Sequence, residues 1–478
     1  MISRREMLKA TALMGACFAL TSNDARASTP ASLEFQSQRP LRAQRKFISE
    51  AVEAQIARVK KDLADEELAW MFENCYPNTL DTTVRFNVLH GKPDGFIITG
   101  DIEAMWLRDS TAQVWPYLAL AKDDLKLRAL IAGVIHRHTR SILIDPYANA
   151  FNYSATGSEW ASDLTAMKRE LHERKYELDS LCYPVRLAHG YWVTTGDASI
   201  FDREWQRAAK LIVRTFREQQ RFSGKGPYKF QRVTANAYDT VPLNGYGNPT
   251  RPCGLIHSIF RPSDDACIYP FLIPSNLFAA SVLYHLKEIF STELKDKEFA
   301  AECSDLAQQI RAACAQHAVI KHARHGAIYA YEIDGYGNAL VMDDANVPSL
   351  LSLPYLGICA TDDPVYRATR HFILSTDNPY FFKGAAGEGT GGPHVGLEMI
   401  WPLGIIVRAL TSTDDLEIAL CLRMLKRAHA GTGFMHESFQ KDNPRQFTRK
   451  WFAWANTLFG ELIVTLHAQR PHLLKAIY

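Results

Sequence analysis

The stretch 199–219 reads SIFDREWQRAAKLIVRTFREQ, and its apolar residues recur three or four positions apart. That spacing is typical of an α-helix with one apolar face. The residues of this face are Phe201, Trp205, Ala208, Ala209, Ile212 and Phe216. The stretch SNLFAASVLYHLKEIF (275–290) repeats the pattern with Phe278, Val282, Leu286 and Ile289. The helical period therefore predicts an all-α fold.

Helical periodicity continues along most of the chain. The predicted helices cover 46–74, 104–121, 123–142, 163–173, 177–195, 199–221, 274–292, 296–318, 346–358, 363–375, 398–411, 413–429 and 449–468. Asp363 and Asp414 are predicted N-caps. The stretch HGAIYAYEIDGYGNALV (325–341) predicts a small β-hairpin turning at Asp334–Gly335. We predict a toroid of helical hairpins with its long loops on one face. A solenoid is the alternative, but no fixed sequence period supports it.

The N-terminus carries the features of an export signal. Arg4 and Arg5 precede a short apolar run, and Ala25-Arg26-Ala27 resembles a cleavage site. The form SRREMLK is similar to a twin-arginine signal, which makes the twin-arginine export machinery an expected partner. We predict a signal at 1–27, a single domain at 28–478 and a periplasmic location. Secretion, or a lipid anchor through Cys17, is the alternative.

Composition limits the classes of partner. The chain is 47% apolar and 22% charged with a net charge of +2, so it has a sizeable core and no basic excess for nucleic acid. The apolar run at the N-terminus is too short to span a bilayer, and no other apolar run is long enough to be a transmembrane helix. The eight cysteines beyond the signal lack the paired spacing of a metal site, so we predict mostly small buried side chains and no metal. The expected ligand is a neutral or weakly charged molecule.

Six loop stretches combine acids with aromatic or glycine residues. They are GDIEAMWLRDS (100–110), HERKYELDSLCYP (172–184), IFRPSDDACIYPF (259–271), VMDDANVPSLL (341–351), GAAGEGTGGPHVGLEMIWP (384–402) and GTGFMHESF (431–439). Sugars present apolar faces that stack on aromatic rings, and hydroxyl pairs that bind planar charged groups. Trp106, Arg108 and Asp109 offer both kinds of contact from one loop. Alternatively, Arg108 pairs with Asp109 or Asp101 to hold the loop, with Trp106 in the core.

Carboxyl groups are the chemistry that these loops supply. Hydrolysis of a glycosidic bond needs two of them, and the candidates are Asp264–Asp265, Asp343–Asp344 and Glu437. Composition does not choose among them, because an acidic pair also caps helices. No G-x-S-x-G elbow, H-E-x-x-H pair or dinucleotide fingerprint is present, and no haem or iron–sulfur cysteine pattern occurs. We therefore expect no cofactor.

Taken together, five motifs resemble glycoside hydrolase family 125. They are TGDIEAMWLRDSTAQVWPYL (99–118), ERKYELDSLCYP (173–184), FRPSDDACIYPFLIPSN (260–276), MDDANVPSLL (342–351) and MHESF (435–439). The resemblance runs from about residue 45 to the C-terminus. It implies an (α/α)6 barrel and a metal-independent, inverting exo-α-1,6-mannosidase that acts on mannose-containing glycans.

The resemblance also implies residue roles. Asp264 is the expected general acid, with Asp265 as the alternative, and Glu437 is the expected general base. Such an acid is expected to have a raised pKa. The expected sugar contacts are Trp106, Arg108, Asp109, Asp265, Asp344, Asn346 and His394. Asp101 and Glu103 are expected to brace the loop, Glu173 and Lys175 to form a structural pair, and loop 384–392 to close the pocket.

Two other functions stay open from the sequence. One is an inverting glycosidase of the same fold with a different sugar specificity. The other is an exported glycan-binding protein without turnover, which the retained Asp264 and Glu437 disfavour. Linkage specificity rests on the resemblance alone, because no residue spacing encodes it.

Overall fold

A computed structural model describes residues 35–478, of which 37–478 form one compact unit. The predicted signal (1–27) and Cys17 lie outside the described residues. Within 35–478, no helix has both the length and the apolar character needed to cross a membrane. All eight cysteines of this range are free thiols. Six of them are buried, in line with the predicted burial of most cysteines.

Helices make up most of the structure. They are α1 (Glu50–Asp62), α2 (Glu66–Cys75), α3 (Asn78–Thr82), α4 (Leu107–Val114), α5 (Leu125–Ile144), α6 (Leu178–Thr195), α7 (Arg203–Gln219), α8 (Pro242–Gly245), α9 (Ile273–Thr292), α10 (Lys297–His317), α11 (Pro364–Ile373), α12 (Pro402–Leu410), α13 (Asp415–Ala428) and α14 (Ala453–Gln469). The predicted N-caps are confirmed: Asp363 accepts from the Tyr366 N–H and Asp414 from the Leu416 N–H.

The helices form an inner and an outer layer. In the inner layer, α4 packs between α6 and α14, α6 packs on α9, and α14 packs on α12. Outer helices cover them, with α5 against α6, α10 against α9 and α13 against α12. The segment 347–357 completes the inner layer, held by hydrogen bonds from Tyr183 to the Val347 carbonyl and from Tyr366 to the Leu351 carbonyl. The predicted (α/α)6 barrel is confirmed.

Two predicted helices are wrong. The segment 346–358 is a series of turns, because the Asp343 carboxylate accepts the N–H groups of Leu350 and Leu351 and prolines stand at 348 and 354. The segment 163–173 is an irregular loop that ends in a short strand at Leu171–Glu173. That strand pairs with 150–151, so long-range pairing outweighs the local helical period.

Fifteen short strands form six small sheets in the described range. They are β1 (Val84–Leu89), β2 (Lys92–Ile97), β3 (Met105–Trp106), β4 (Ala150–Phe151), β5 (Leu171–Glu173), β6 (Phe271–Leu272), β7 (Val319–His322), β8 (Gly326–Tyr329), β9 (Glu332–Ile333), β10 (Ala339–Leu340), β11 (Phe381–Lys383), β12 (Glu388–Thr390), β13 (Met399–Ile400), β14 (Ser438–Gln440) and β15 (Asn443–Thr448). The predicted hairpin is present as β9–β10, whose strands pair Ile333 with Ala339. β8 pairs with β7 instead.

The inner helices share one feature that positions the site. Their first residues follow directly on loop segments rich in polar and aromatic side chains. Trp106 precedes α4, Lys175 lies just before α6, Trp401 precedes α12 and Phe452 precedes α14. All four of these residues line one cavity. The N-terminal ends of the inner helices therefore converge on a common site.

Candidate active site

A cavity of about 290 Å³ lies at this end of the barrel. Its walls combine aromatic rings, carboxylates and cations, which is the mixture that sugar recognition needs. Of the nine predicted site residues, eight line it: Trp106, Arg108, Asp109, Asp264, Asp265, Asn346, His394 and Glu437. Residues far apart in the sequence are thus brought to one place, while their individual roles stay predictions.

Asp344 is the ninth, and it lies behind the wall. It is 1% exposed, and its Oδ1 accepts hydrogen bonds from the backbone N–H and the side-chain amide of Asn346. A Cβ added to Gly392 would meet Asp344 Oδ2 at 2.8 Å. Asp344 therefore orients Asn346, and the glycine-rich loop packs behind Asp344. The cavity lining includes His394 but no residue of 384–392.

Arg108 is buried among carboxylates. Its Nη1 donates to Glu177 Oε2 at 2.5 Å and to Asp179 Oδ2 at 3.1 Å, and its Nε lies 3.7 Å from Asp109 Oδ2. Glu177 and Asp179 were not singled out from the sequence. Burial, together with the charge of nearby Asp264, raises the pKa of Asp109 to about 6, although Arg108 opposes this shift. The cluster holds the first turns of α4 and α6 together.

Asp264 stands on a tight turn with a φ of +68°. This left-handed conformation is uncommon for a residue other than glycine and costs about 1–3 kcal/mol. The turn is closed by the Asp264 N–H donating to the Arg261 carbonyl at 2.9 Å. Arg261 is itself 1% exposed and donates to Glu332 of β9 at 2.6 Å. The β6–β9–β10 sheet therefore fixes the turn that presents Asp264 to the cavity.

The expected raised pKa of the acid is not found at Asp264 in the ligand-free site. Burial favours the neutral carboxyl, but the positive charges of Lys175 and Arg108 outweigh it and lower the pKa of Asp264 to about 2. Both cations were named from the sequence, but in other roles and not as neighbours of Asp264. The raised pKa belongs to the neighbouring Glu177, whose carboxyl is buried beside Asp264.

Asp265 has different partners from its neighbour. Its Oδ1 lies 3.0 Å from Nδ1 of His394, and its side chain is 4% exposed. Burial lowers the pKa of His394, but the hydrogen bond and charge of Asp265 outweigh this and raise it to about 9. His394 is therefore an imidazolium at neutral pH. It places a positive charge at the cavity wall, close enough to Asp264 and Glu437 for their charges to act on it.

Glu437 comes directly before β14 and is 6% exposed. Its Oε1 lies 3.5 Å from Nη1 of Arg449, the residue that follows β15. Arg449 also donates from Nε to Asp101 at 2.9 Å. Asp101 thus braces its loop as predicted, and Glu103 does so through an ion pair with Arg85. Arg449, which was not predicted, links Glu437 to the loop before α4.

The remaining wall consists of residues that the sequence did not mark as a set. Arg232 stacks on the Trp160 ring at 3.7 Å and donates to Asp163, Glu173 and Asp239. Lys175 lies 3.3 Å from Glu173 and 2.8 Å from Asp239. Glu173 and Lys175 therefore form the predicted pair, within a larger network. The four wall residues lie far apart in the sequence and share no motif, so the sequence did not predict that they meet: Trp160, Glu173, Arg232 and Asp239.

One cluster in the described range has the side chains of a metal site, and it lies away from the cavity. It consists of His322, His325 and Asp377. His322 Nδ1 accepts the N–H groups of Arg324 and His325, and His325 Nε2 bonds to Asp377 at 2.8 Å. A neutral histidine that binds a metal through Nε2 carries its proton on Nδ1. In His322, Nδ1 accepts two hydrogen bonds and therefore carries no proton, so Nε2 is protonated and cannot bind a metal. The hydrogen bonds explain the cluster as a tie between the β7–β8 hairpin and the loop after α11.

Comparison with known proteins gives three findings. The sequence profile of the metal-independent α-mannosidases (GH125) matches residues 65–464. The meiotically up-regulated gene 157 protein of Schizosaccharomyces pombe is 44% identical over 468 residues, which cover 94% of this chain and 91% of that protein. A Streptococcus pneumoniae structure, described as a metal-independent α-mannosidase in a non-productive complex with α-1,6-mannobiose, is 42% identical with a TM-score of 0.85. The match covers 89% of this chain and all of that one.

A more distant structure shares the fold alone. A bacterial glucoamylase in complex with acarbose matches with a TM-score of 0.50 at 13% identity, over 78% of this chain and 51% of that one. At this identity the likeness concerns the arrangement of helices and says nothing of the substrate.

Proposed function

Because the chain belongs to glycoside hydrolase family 125, the metal-independent α-mannosidases, we propose that it removes terminal mannose from α-1,6-linked mannosides with inversion at C1. That the chain is a glycoside hydrolase of mannosides follows from its family. The linkage, the exo action and the stereochemistry are the proposal. The observation that carries it is a single cavity lined by both Asp264 and Glu437, 173 positions apart in the chain.

Asp264 is the proposed general acid. It protonates the glycosidic oxygen while the bond from C1 to that oxygen breaks, and the bonding electrons stay on the oxygen. Its side chain is partly exposed to the cavity, whereas that of Asp265 is 4% exposed and held by His394. Asp265 therefore has an ionic partner, whereas Asp264 accepts a hydrogen bond from the neutral amide of Asn149 at 3.1 Å and faces the cavity. This difference favours Asp264 over its neighbour.

Glu437 is the proposed general base. It removes a proton from a water molecule that attacks C1 on the face opposite the leaving group. Its Oε1 lies 3.5 Å from Nη1 of Arg449, which holds the carboxyl group at the cavity wall. Inversion requires room for that water, so we expect the carboxyl groups of Asp264 and Glu437 to stand about 6.5–9.5 Å apart.

The sugar specificity is supported by a relative. The pneumococcal protein, 42% identical over 89% of this chain, was crystallised with α-1,6-mannobiose. Trp106, Asp109, Asn346 and His394 are the proposed contacts of the terminal mannose. Arg108 acts there through the carboxylates that it positions, since only 3% of its side chain is exposed.

A disaccharide panel tests this proposal. Purified enzyme is incubated with α-1,2-, α-1,3-, α-1,4- and α-1,6-mannobiose and with isomaltose, and free monosaccharide is measured. We expect mannose from the α-1,6-linked substrate above all others. Glucose release from isomaltose would indicate a different specificity, and saturable binding without product would indicate a glycan-binding protein.

Two variants connect the activity to Glu437. Glu437→Gln should reduce kcat by about 10²–10⁴-fold with the fold intact, because a general base contributes that much. Glu398→Gln is the matched control, since Glu398 is 56% exposed and does not line the cavity. Equal loss in both variants, or unfolding of Glu437→Gln, would point to a structural role for Glu437.

We also propose that the chain is exported to the periplasm by the twin-arginine machinery, from the pattern at Arg4 and Arg5. Replacing both arginines by lysine should leave the protein in the cytoplasm. Fractionation of cells expressing either form measures this. Periplasmic enzyme in the double variant would contradict the proposed route.

A further inference from the structure

A β-hairpin brings the proposed base and an arginine to the same end of two paired strands. Ser438 of β14 pairs with Thr448 of β15, and their side-chain oxygens lie 2.6 Å apart. Glu437 directly precedes the first of these residues and Arg449 directly follows the second. Antiparallel pairing places such residues across from each other. The hairpin therefore determines which side chain stands beside the base.

Arg449 is the ionic partner of the base. Its Nη1 lies 3.5 Å from Glu437 Oε1, and within 35–478 the Glu437 carboxyl forms an ion pair with no other side chain. Both side chains line the cavity. One oxygen of the Glu437 carboxyl group therefore faces a guanidinium, and the other oxygen, Oε2, has no ionic partner.

The rest of the Arg449 guanidinium is held by the loop before α4. Its Nε donates to Asp101 Oδ1 at 2.9 Å, and its Nη2 donates to Thr99 Oγ1 at 3.1 Å. Asp101 itself does not line the cavity. One planar group thus directs its N–H groups to partners on two sides, which the ammonium group of a lysine cannot reproduce.

The backbone around these side chains is shaped for the contact. Arg449 has a φ of +40°, a left-handed conformation that is uncommon for a residue other than glycine. Gly100 has a φ of +129°, and a Cβ there would lie 2.5 Å from the Trp451 carbonyl oxygen. The Ala453 N–H donates to the Thr99 carbonyl at 3.0 Å. The loop before α4 and the segment after β15 are therefore held together beside Arg449, and strained residues of this kind cluster at active sites.

Together these contacts define how the base is held. We propose that Arg449 is the positioning residue of the general base: it holds Oε1 of Glu437, so that Oε2 points at the water molecule that attacks C1. Asp101 fixes the guanidinium from outside the cavity. The inference rests on the proposed function and gives the base two supporting residues that the sequence motifs did not assign to it. A misplacement of about 1 Å near the reacting atoms can cost about a hundredfold in rate.

Two features of the kinetics distinguish this role from others. A residue that only binds the sugar raises KM and leaves kcat unchanged, whereas a residue that aligns the base lowers kcat. The base acts on water whichever group leaves. The loss should therefore be the same on α-1,6-mannobiose and on 2,4-dinitrophenyl α-mannoside, whose leaving group needs no proton.

Arg449→Lys is the first variant, because it keeps the charge but loses the planar group. Its kcat should fall by about 10–100-fold on both substrates, and its KM should change by less than about twofold. Arg445→Lys is the matched control, since Arg445 lies on β15 of the same hairpin, is exposed and does not line the cavity. Its kcat should equal that of the wild type. A raised KM with unchanged kcat in Arg449→Lys, or a loss on mannobiose alone, would overturn the proposal.

Asp101→Asn tests the same contacts from outside the cavity. The Asp101 side chain is 39% exposed, so the fold should accept asparagine even if it does not accept Arg449→Lys. We expect kcat to fall by at least about threefold on both substrates with KM nearly unchanged. In the Arg449→Lys background, Asp101→Asn should lower kcat by less than about twofold more, because the residue it acts through is gone. Wild-type kcat in a folded Asp101→Asn variant would contradict the role of Asp101.

A double-mutant cycle tests whether Arg449 acts through Glu437. In the Glu437→Gln background the base is absent, so Arg449→Lys should lower kcat by less than about twofold more. Losses that multiply would overturn the proposal. If Glu437→Gln is slow while Arg449→Lys has wild-type kcat, only the positioning role fails. If Glu437→Gln keeps wild-type kcat, the proposed base fails as well. If mannobiose is not cleaved, the linkage fails, and the aryl mannoside still measures the cycle.

Discussion

At the residue scale, neighbouring positions in the chain have different surroundings. Asp264 turns toward Asn149, Lys175 and Arg108, whereas Asp265 turns toward His394. The sequence identified the pair but left the choice of acid open. What separates the two is a left-handed turn and partners from other loops, and neither can be read from adjacent aspartates.

Replacement of each aspartate by asparagine tests their division of labour. Asp264→Asn should lower kcat on α-1,6-mannobiose by about 10²–10⁴-fold and be largely restored on 2,4-dinitrophenyl α-mannoside. Asp265→Asn should lose activity to a similar extent on both substrates, because its part is to hold His394. Steady-state kinetics on the two substrates measure this. The opposite leaving-group dependence would make Asp265 the acid.

His394 offers a prediction about pH. Asp265 raises its pKa to about 9, above the unfolded value of about 6.5. Its contribution to stability is therefore fully present below about pH 6.5 and is lost as pH rises through 9. NMR titration of the imidazole should show the high pKa in the wild type and a value at or below about 6.5 in Asp265→Asn. A normal pKa in the wild type would contradict the ion pair.

At the scale of elements, loops before the inner helices hold the site, and small sheets hold those loops. The sequence predicted the helices because each one buries one face, so its apolar residues recur three or four positions apart. The turns at 346–358 were not, because the carboxylate of Asp343 replaces helical hydrogen bonds there. The β1–β2 hairpin, pairing Val84 with Ile97, also escaped prediction, although the stretch VRFNV (84–88) alternates apolar and polar residues as a strand does.

The ion pair between Arg261 and Glu332 ties the Asp264 turn to β9. Both side chains are at most 1% exposed, so removing one charge leaves the other buried and unpaired. Glu332→Gln should lower the free energy of unfolding by about 3–5 kcal/mol, measured by urea denaturation. Glu302→Gln is the control, because Glu302 is 45% exposed and 3.9 Å from Arg217. Its effect should stay within about 0.5 kcal/mol, and a similarly small effect at Glu332 would contradict the anchoring role.

Gly392 tests how the glycine-rich loop reaches the site. Any Cβ there would lie 2.8 Å from Asp344 Oδ2, in a buried position. Gly392→Ala should displace Asp344 and with it Asn346, raising KM for α-1,6-mannobiose more than it changes stability. Gly396→Ala is the comparison at an open position, although its φ of +88° adds strain of its own. An unchanged KM in Gly392→Ala would separate this loop from substrate binding.

At the scale of the whole molecule, the barrel collects the motifs at one end. The ordered motifs and the helical period together predicted the (α/α)6 architecture and nine site residues, eight of which line the cavity. Glu177, Asn149, Arg232 and Arg449 were not predicted in their roles. Several of their partners lie 60 or more positions away in the sequence. Arg108 and Glu177, for example, are 69 positions apart. Contacts between residues so far apart leave no local pattern in the sequence.

The stereochemistry of hydrolysis tests the central claim most directly, because it reports whether a water molecule fits between Asp264 and Glu437. Proton NMR of the methyl α-glycoside of α-1,6-mannobiose with excess enzyme resolves the anomer that forms first, before mutarotation, because the leaving methyl α-mannoside cannot mutarotate. We expect β-mannose as the first free sugar, in step with loss of the disaccharide. Initial release of α-mannose would mean retention and would contradict the central claim.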